Sequence, residues 1–130
     1  MKKSVWHLTV RGEFSSAHAL RNYQGKCEAR HGHSYQVEMV VSGKVLTPDT
    51  ELVMDFDELK KLLRTELEKL DHCDLNQVAP FTQINPSSEN LARYLWKQLE
   101  AQLSGQPVQL HSVSVSEKTT QTATYLEIDD

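Results

Sequence analysis

The fold and the candidate site both depend on the stretch Cys27-Glu-Ala-Arg-His31-Gly-His33-Ser-Tyr35 and its continuation to Gly43. From Tyr35 onward apolar residues alternate with polar ones, which predicts a β-strand with one buried face. Extended backwards, this face includes His33 and His31, because side chains two residues apart in a strand point the same way. Two imidazoles placed one pleat repeat apart can chelate a single metal ion, and Cys27 lies on the loop that leads to them.

Residues 5–18 predict an earlier strand of the same kind. Trp6, Val10 and Phe14 share its apolar side, and His18 falls on that side too. If the two strands are neighbours, three imidazoles share one face: His18, His31 and His33. Three neutral nitrogens with an open fourth position are typical of catalytic zinc, whereas structural zinc has four protein ligands. Three histidines without a metal are the alternative.

Two amphipathic helices are predicted after these strands. Asp55 is a good N-cap for the first helix, and Ser87 or Ser88 for the second, which ends near Gly105. The connection between the helices, residues 71–86, is long for a compact domain and begins with Asp71-His72. A long connection of this kind is more often functional than a plain turn.

Two more strands, over residues 108–117 and 122–128, complete an order ββααββ. Strands that are neighbours in sequence favour an antiparallel sheet, here with a helical hairpin on one face, and hence the α+β class. In the third strand the acid Glu117 shares a parity with His111, Val113 and Val115. An acid on a valine face at the end of a strand suggests a site.

Composition limits the classes of function. The 130 residues predict one domain spanning 1–130, and the net charge of −4 without a basic stripe argues against a nucleic-acid partner. Neither a membrane span nor a signal peptide is expected, which predicts a cytoplasmic protein with reduced thiols. A Cys27–Cys73 disulfide is the less favoured alternative.

The remaining candidate residues each have two possible interpretations. The Cys27 thiolate would be a base or nucleophile, or else a fourth zinc ligand, and spacing does not separate these roles. Asp71 and His72 would take part in acid–base catalysis, each with a different partner because adjacent side chains do not easily bond to each other, or would form an ordinary helix terminus. Glu117 would bind a guanidine-like edge through two hydrogen bonds, or lie in solvent. Cys73 and His111 are expected to be structural.

The chain resembles the 6-pyruvoyl-tetrahydropterin synthase family over almost its whole length. The residues that carry the resemblance, in family order, are Phe14-Ser-Ser-Ala-His-Ala-Leu20, Cys27-x3-His31-Gly-His33-Ser-Tyr35, Val53-Met-Asp-Phe56, Leu70-Asp-His72-x-x-Leu75-Asn76, Asn85-Pro-Ser-Ser-Glu-Asn90 and Val115-Ser-Glu117. Single motifs are weak, but the combination is highly specific.

The resemblance implies a tunnelling fold whose subunits join their sheets into a barrel, commonly a hexamer of two trimers with sites between subunits. It also implies roles for individual residues. His18, His31 and His33 would hold Zn²⁺, Cys27 would abstract a proton, and Asp71 and His72 would complete a relay. Glu117 would anchor a pterin ring, near Ser87, Ser88 and Glu89.

The short spacer Cys27-x3-His31 is similar to that of the bacterial 6-carboxy-tetrahydropterin synthase branch of queuosine and deazapurine biosynthesis. That branch converts 7,8-dihydroneopterin triphosphate to 6-carboxy-tetrahydropterin, acetaldehyde and triphosphate, so the resemblance implies a lyase. Ala19 departs from this branch, which often has a basic residue there. The alternatives are a 6-pyruvoyl-tetrahydropterin synthase, which eliminates triphosphate, and a non-catalytic zinc module.

Overall fold

The fold is a four-stranded antiparallel sheet covered on one face by two helices, as the sequence predicted. The computed structural model describes residues 1–25 and 28–130. The strands lie side by side in chain order. The elements are β1 (Trp6–His18), β2 (His31–Gly43), α1 (Phe56–Glu68), a 3-10 turn (Leu75–Gln77), α2 (Ser88–Gln102), β3 (Gln109–Lys118) and β4 (Gln121–Tyr125).

The core fills the space between the sheet and the helices. The predicted apolar face of β2 is almost completely buried, at Tyr35, Val37, Met39 and Val41. Opposite this face lie the leucines that recur at helical spacing in both helices, Leu59, Leu63, Leu67, Leu91, Leu95 and Leu99. Removal of these side chains from water is the main stabilising contribution, at roughly 25 cal/mol per Å² of apolar surface.

Both helices begin at the caps that the sequence predicted. The Asp55 carboxylate accepts a hydrogen bond from the Asp57 amide at 2.8 Å, and the Ser87 hydroxyl accepts one from the Asn90 amide at 3.1 Å. Each bond satisfies one of the backbone amides that a first helical turn leaves without a partner. Because Ser87 fixes the start of α2, it also fixes the carbonyl of Pro86 just before it.

The register between β1 and β2 brings the predicted histidines together. The two strands pair without a shift along their full length, so that His18 lies opposite His31 and Ser16 lies opposite His33. Directly opposed residues share a face in an antiparallel pair. Every second residue of β1 from Phe14 onward is buried, including Ser16, which is 7% exposed. His18 therefore lies on the side of the sheet that the helices cover.

Two details of the second half of the sheet differ from the sequence prediction. The last strand ends at Tyr125 rather than at residue 128. In β3 the pairing shifts between Ser112, which faces Val40, and Leu110, which faces Val41, so His111 is the extra residue of a β-bulge. His111 is consequently exposed and does not share the face of Val113, because a strict alternation cannot anticipate an inserted residue.

The outer edge of β1 is covered near its end by the chain that follows α1. Ser15 donates its amide to the Asp71 carboxylate at 2.8 Å and accepts the His72 amide at its carbonyl at 2.6 Å. Ala17 pairs in parallel with Asp74. This arrangement satisfies an edge that would otherwise be open and places Asp71-His72 beside the histidine end of the sheet.

Within the described residues, the longest apolar helices fall short of what a bilayer crossing requires.

A candidate metal centre at the end of the sheet

Three imidazoles from two adjacent strands converge where β1 ends and β2 begins. One ring nitrogen of each of His18, His31 and His33 lies within 4.8 Å of the others. The ring centroids are 4.8 to 5.1 Å apart, and the planes are steeply inclined to one another. The short distances between the nitrogens mean that one cation could contact all three rings.

Backbone carbonyls orient two of these rings. Nδ1 of His18 lies 2.9 Å from the Pro86 carbonyl oxygen, and Nδ1 of His31 lies 2.9 Å from that of Ala29. A carbonyl can only accept, so each Nδ1 carries a proton, and in the neutral imidazole the lone pair is then on Nε2. This is the outer-shell arrangement that prepares histidine to ligate a metal.

The environment also favours the neutral form of the third ring. Burial lowers the pKa of His33, the nearby Glu117 carboxylate opposes this shift, and His18 and His31 add to it. A neutral imidazole has a lone pair to give to a metal. The donor set of three imidazole nitrogens with no described fourth nitrogen or sulfur fits a zinc ion with one open position.

Tyr35 packs behind the cluster. Its ring stacks on Phe14 at 4.6 Å and lies 5.8 and 5.7 Å from the rings of His18 and His33. Burial raises the pKa of Tyr35, so the hydroxyl stays neutral. This aromatic floor separates the imidazoles from the leucine core and restricts their rotation.

Glu117 reaches the cluster from β3. Its Oε2 lies 3.7 Å from Nε2 of His18 and 3.6 Å from Nε2 of His33. Its Oε1 accepts a hydrogen bond from the Gln121 side-chain amide at 3.1 Å. The acid that shares its parity with the valines therefore faces the nitrogens of the candidate metal site.

A hollow beside Glu117 brings two more of the predicted residues into one place. Ser88 and Glu89, in the first turn of α2, line it together with Glu117 and Gln121. The predicted residue Ser87 is not part of the lining, and its hydroxyl instead caps α2. Two carboxylates at one hollow suit a ligand edge that is rich in N–H donors.

Asp71 and His72 lie at a groove on another side of the cluster. His33 and His72 both line this groove, together with Cys73. Nε2 of His72 is 3.4 Å from Oδ2 of Asp71, so adjacent residues contact each other, although the sequence favoured separate partners for them. His72 also has a positive φ of 52°, which is uncommon for a residue other than glycine. The imidazole is 83% exposed.

Cys27, predicted as the proton-abstracting base, lies outside the described residues. Its assignment, and the alternatives of a fourth ligand or a pairing with Cys73, remain predictions from the sequence. Cys73 is half-buried, and its Sγ lies 3.1 Å from the carbonyl oxygen of Leu70.

Sequence reasoning did not identify two asparagines that hold the chain just after His18. Asn76 accepts from the Ala19 amide and donates to the Ala19 carbonyl, both at 2.9 Å. Asn85 does the same for Arg21, at 2.7 and 2.9 Å. Each side chain acts as one rung of a sheet ladder. Both asparagines belong to motifs that carry the family resemblance, Leu75-Asn76 and Asn85-Pro86, and this was a signal that could have identified them. Nothing in the sequence singled out Gln121.

Comparison with known proteins identifies the family of the chain. Residues 7–127 match the family model described as 6-pyruvoyl tetrahydropterin synthase. A 6-carboxy-5,6,7,8-tetrahydropterin synthase of Synechocystis is 35% identical over 125 residues, with 93% of each chain covered. A 6-pyruvoyl tetrahydrobiopterin synthase of Dictyostelium discoideum is 36% identical, with 71% of this chain and 76% of the relative covered.

Solved structures extend the likeness to the whole fold. The 6-pyruvoyl tetrahydropterin synthase of Caenorhabditis elegans superposes with a TM-score of 0.80 at 24% identity, with 98% of this chain and 99% of that chain covered. The sheet-and-helix arrangement is therefore that of the tunnelling fold. With residues 7–127 matched, this chain belongs to the 6-pyruvoyl tetrahydropterin synthase family, which is a family of enzymes.

Proposed function

We propose that the protein is a zinc-dependent 6-carboxy-5,6,7,8-tetrahydropterin synthase of queuosine and deazapurine biosynthesis. It takes 7,8-dihydroneopterin triphosphate and releases 6-carboxy-tetrahydropterin, acetaldehyde and triphosphate, with one water molecule balancing the loss of triphosphate. It is thus a lyase with a small-molecule pterin substrate. The similarity to the Synechocystis relative over 93% of both chains supports this branch, as does the short spacer between Cys27 and His31.

The observation that carries the proposal is the position of Glu117. Its carboxylate borders both the three imidazole nitrogens and the hollow that contains Ser88 and Glu89. A pterin has a guanidine-like edge whose N–H groups can donate two hydrogen bonds to one carboxylate. A ring anchored at Glu117 would therefore present its side chain to the histidines.

The residues of the chain divide the chemistry between them. His18, His31 and His33 hold the zinc ion, which, when bound, acts as a Lewis acid that lowers the pKa of a C–H bond next to the side-chain oxygens of the substrate. The Cys27 thiolate takes that proton. Glu117, Ser88 and Glu89 fix the ring so that the substrate side chain stays beside the three histidines, which removes much of the entropic cost of the step.

Asp71 and His72 supply the second acid–base group. Asp71 is held by the Ser15 amide and orients the His72 imidazole, which stays free to exchange protons in the groove that it shares with His33. A His72→Gln variant should therefore change the pH dependence of turnover. An unchanged pH–rate profile would remove His72 from the relay.

The active form is proposed to be a cytoplasmic homo-oligomer, a hexamer of two trimers with sites at subunit interfaces. The exposure of the His72 imidazole supports this assembly, since a relay group is more effective when it is partly shielded from water. Light scattering coupled to size-exclusion chromatography measures the mass directly. A monomer that turns over at full rate would contradict the interface sites.

Mass spectrometry of the product tests the reaction. Zinc-loaded protein incubated with 7,8-dihydroneopterin triphosphate should yield 6-carboxy-tetrahydropterin and acetaldehyde in equal amounts. A pyruvoyl product would instead favour triphosphate elimination, the activity named for the Dictyostelium relative. Absence of turnover with zinc bound would favour a non-catalytic zinc module.

A Cys27→Ala variant tests the proposed base. It should keep the fold and bind zinc like the wild type, yet lose turnover, because the three imidazoles remain while the proton acceptor is gone. Cys73→Ala is the matched control and should remain active. Loss of zinc in Cys27→Ala would instead make Cys27 a ligand.

A further inference from the structure

The two oxygens of the Glu117 carboxylate face different surroundings. Oε2 lies 3.6 Å from Nε2 of His33 and 3.7 Å from Nε2 of His18. Oε1 is held by the Gln121 amide at 3.1 Å, beside the hollow that Ser88 and Glu89 line. One side chain therefore touches both the candidate metal site and the candidate pterin site.

Two distances on the metal side are close to those between neighbouring ligands of one zinc ion. Zinc bonds to imidazole nitrogen and carboxylate oxygen at about 2.0 to 2.2 Å, and in a tetrahedron this separates neighbouring ligand atoms by roughly 3.3 to 3.6 Å. The distances from Oε2 to Nε2 of His18 and Nε2 of His33 are close to this ligand–ligand separation. Three imidazoles and one carboxylate form a donor set that zinc accepts.

On the side of the hollow, a bound ligand could compete with the metal for the Glu117 carboxylate. Glu89 adds a second negative charge at the hollow, which therefore attracts an edge with several N–H donors. A bidentate pair with such an edge directs both oxygens of Glu117 toward the ligand. Gln121, which is exposed on β4, contributes one hydrogen bond from a neutral amide and can give way.

We propose that Glu117 is an exchangeable fourth ligand: it completes the metal site while the hollow is empty, and a bound pterin ring draws it away. The fourth coordination position would then open only when the ring is in place. This inference rests on the proposed function for the class of ligand, but its metal-binding half does not depend on turnover.

The first experiment measures zinc affinity without a pterin, by competition with a chromophoric chelator. Glu117→Gln should weaken zinc binding at least about tenfold, the lower end of the contribution typical of groups that support a metal ligand. The matched control Glu89→Gln removes the same charge from the same hollow and should bind zinc like the wild type. Equal affinities in wild type and Glu117→Gln would overturn the proposal.

The second experiment observes the exchange on cobalt-loaded protein, whose visible absorption bands report coordination. Unsubstituted pterin, which lacks the triphosphate side chain, should shift the wild-type bands toward those of Glu117→Gln and leave the bands of that variant unchanged. Binding of pterin is detected by its own fluorescence. If pterin binds and the wild-type absorption bands do not change, the proposed ligand exchange is wrong.

Two further measurements keep these outcomes interpretable. Circular dichroism checks that Glu117→Gln is folded. The variant Gln121→Ala removes only the amide that orients Oε1 and should give a zinc affinity between those of wild type and Glu117→Gln.

Failure of the proposed function looks different from failure of the ligand exchange. The triphosphate substrate would then give no carboxy-tetrahydropterin, while the affinity difference and the pterin-induced shift persisted.

Discussion

Two groups of histidines lie at opposite ends of the sheet. At one end His18, His31 and His33 form the candidate metal site. At the other end His7 of β1 and His111 of β3 bring their rings to a centroid distance of 4.2 Å, closer than any pair within the cluster. Proximity of imidazoles therefore does not distinguish a metal site from a surface contact.

The orientation and surroundings of the rings differ between the two groups. The rings of His7 and His111 are tilted by 32° to each other, whereas those of the cluster meet at 72 to 87°. Both rings of the pair are exposed, and no hydrogen bond or ion pair links them to another described side chain. The cluster has carbonyl acceptors, a carboxylate and an aromatic floor, and these partners make neighbouring histidines into a site.

The largest expected effect tests this contrast directly. His33→Ala should weaken zinc binding strongly, because it removes one of the three imidazole ligands. His111→Ala also removes one imidazole from a close pair, but it should leave the affinity and stoichiometry of zinc unchanged. Isothermal titration calorimetry on both variants measures the two outcomes. Loss of a zinc equivalent in His111→Ala would mean that ring proximity alone suffices.

Removal of the metal should have a smaller effect on the fold than on activity. The carbonyls of Pro86 and Ala29 orient the rings without help from an ion, and the leucine core lies behind them. Chelation should abolish turnover. It should lower the melting temperature only by the shift that corresponds to the lost binding free energy of the metal, and the unfolding transition should stay cooperative. If the chelated protein instead lost its circular-dichroism signal, the zinc would be structural.

A further test removes one of the rungs that hold the chain after His18. Asn76→Ala leaves the buried N–H and C=O of Ala19 without partners and should lower the free energy of unfolding by about 1 to 3 kcal/mol. The matched control is Gln77→Ala, an exposed residue of the same 3-10 turn, which should change stability little. Urea denaturation measures both. Equal stabilities would show that Asn76 does not hold this segment.

The smallest expected effect concerns another exposed contact. Hydrogen bonds from Lys97 and Tyr125 lower the pKa of Glu127 below its usual 4.5. A depressed carboxyl pKa stabilises the folded state above pH 4.5, and this contribution is lost as the pH falls through the folded value. Lys97→Ala should lower the melting temperature slightly at pH 7 and by progressively less as the pH falls below 4.5. A difference that stays constant with falling pH would show that Lys97 acts through packing.

Much of the cluster could be predicted from the sequence because its causes are local. The period of β2 placed His31 and His33 on the buried face, and the period of β1 did the same for His18. That the three nitrogens converge depends on a register with no shift across thirteen paired residues, which alternation suggests but does not fix. His111 illustrates the opposite case, since one bulge moved it away from the face that its parity predicted.

The groups around the imidazoles were harder to predict because they come from distant parts of the chain. The Pro86 carbonyl, 68 residues from His18, and the Asn85 amide, 64 residues from Arg21, contribute through their placement rather than through a residue type that signals chemistry. Gln121 is an ordinary exposed strand residue in the sequence, and only its contact with Glu117 gives it a role.

The sequence by itself determined the antiparallel sheet with its two covering helices, the helix caps and the identity of the candidate ligands. These follow from periodicity and residue chemistry, which act over a few residues. Only the tertiary structure decided that Glu117 faces both the imidazoles and the hollow, and that His7 and His111 form a contact without oriented partners. The physical reason is that directions and distances between side chains are set by strand register, bulges and helix docking, which no local pattern records.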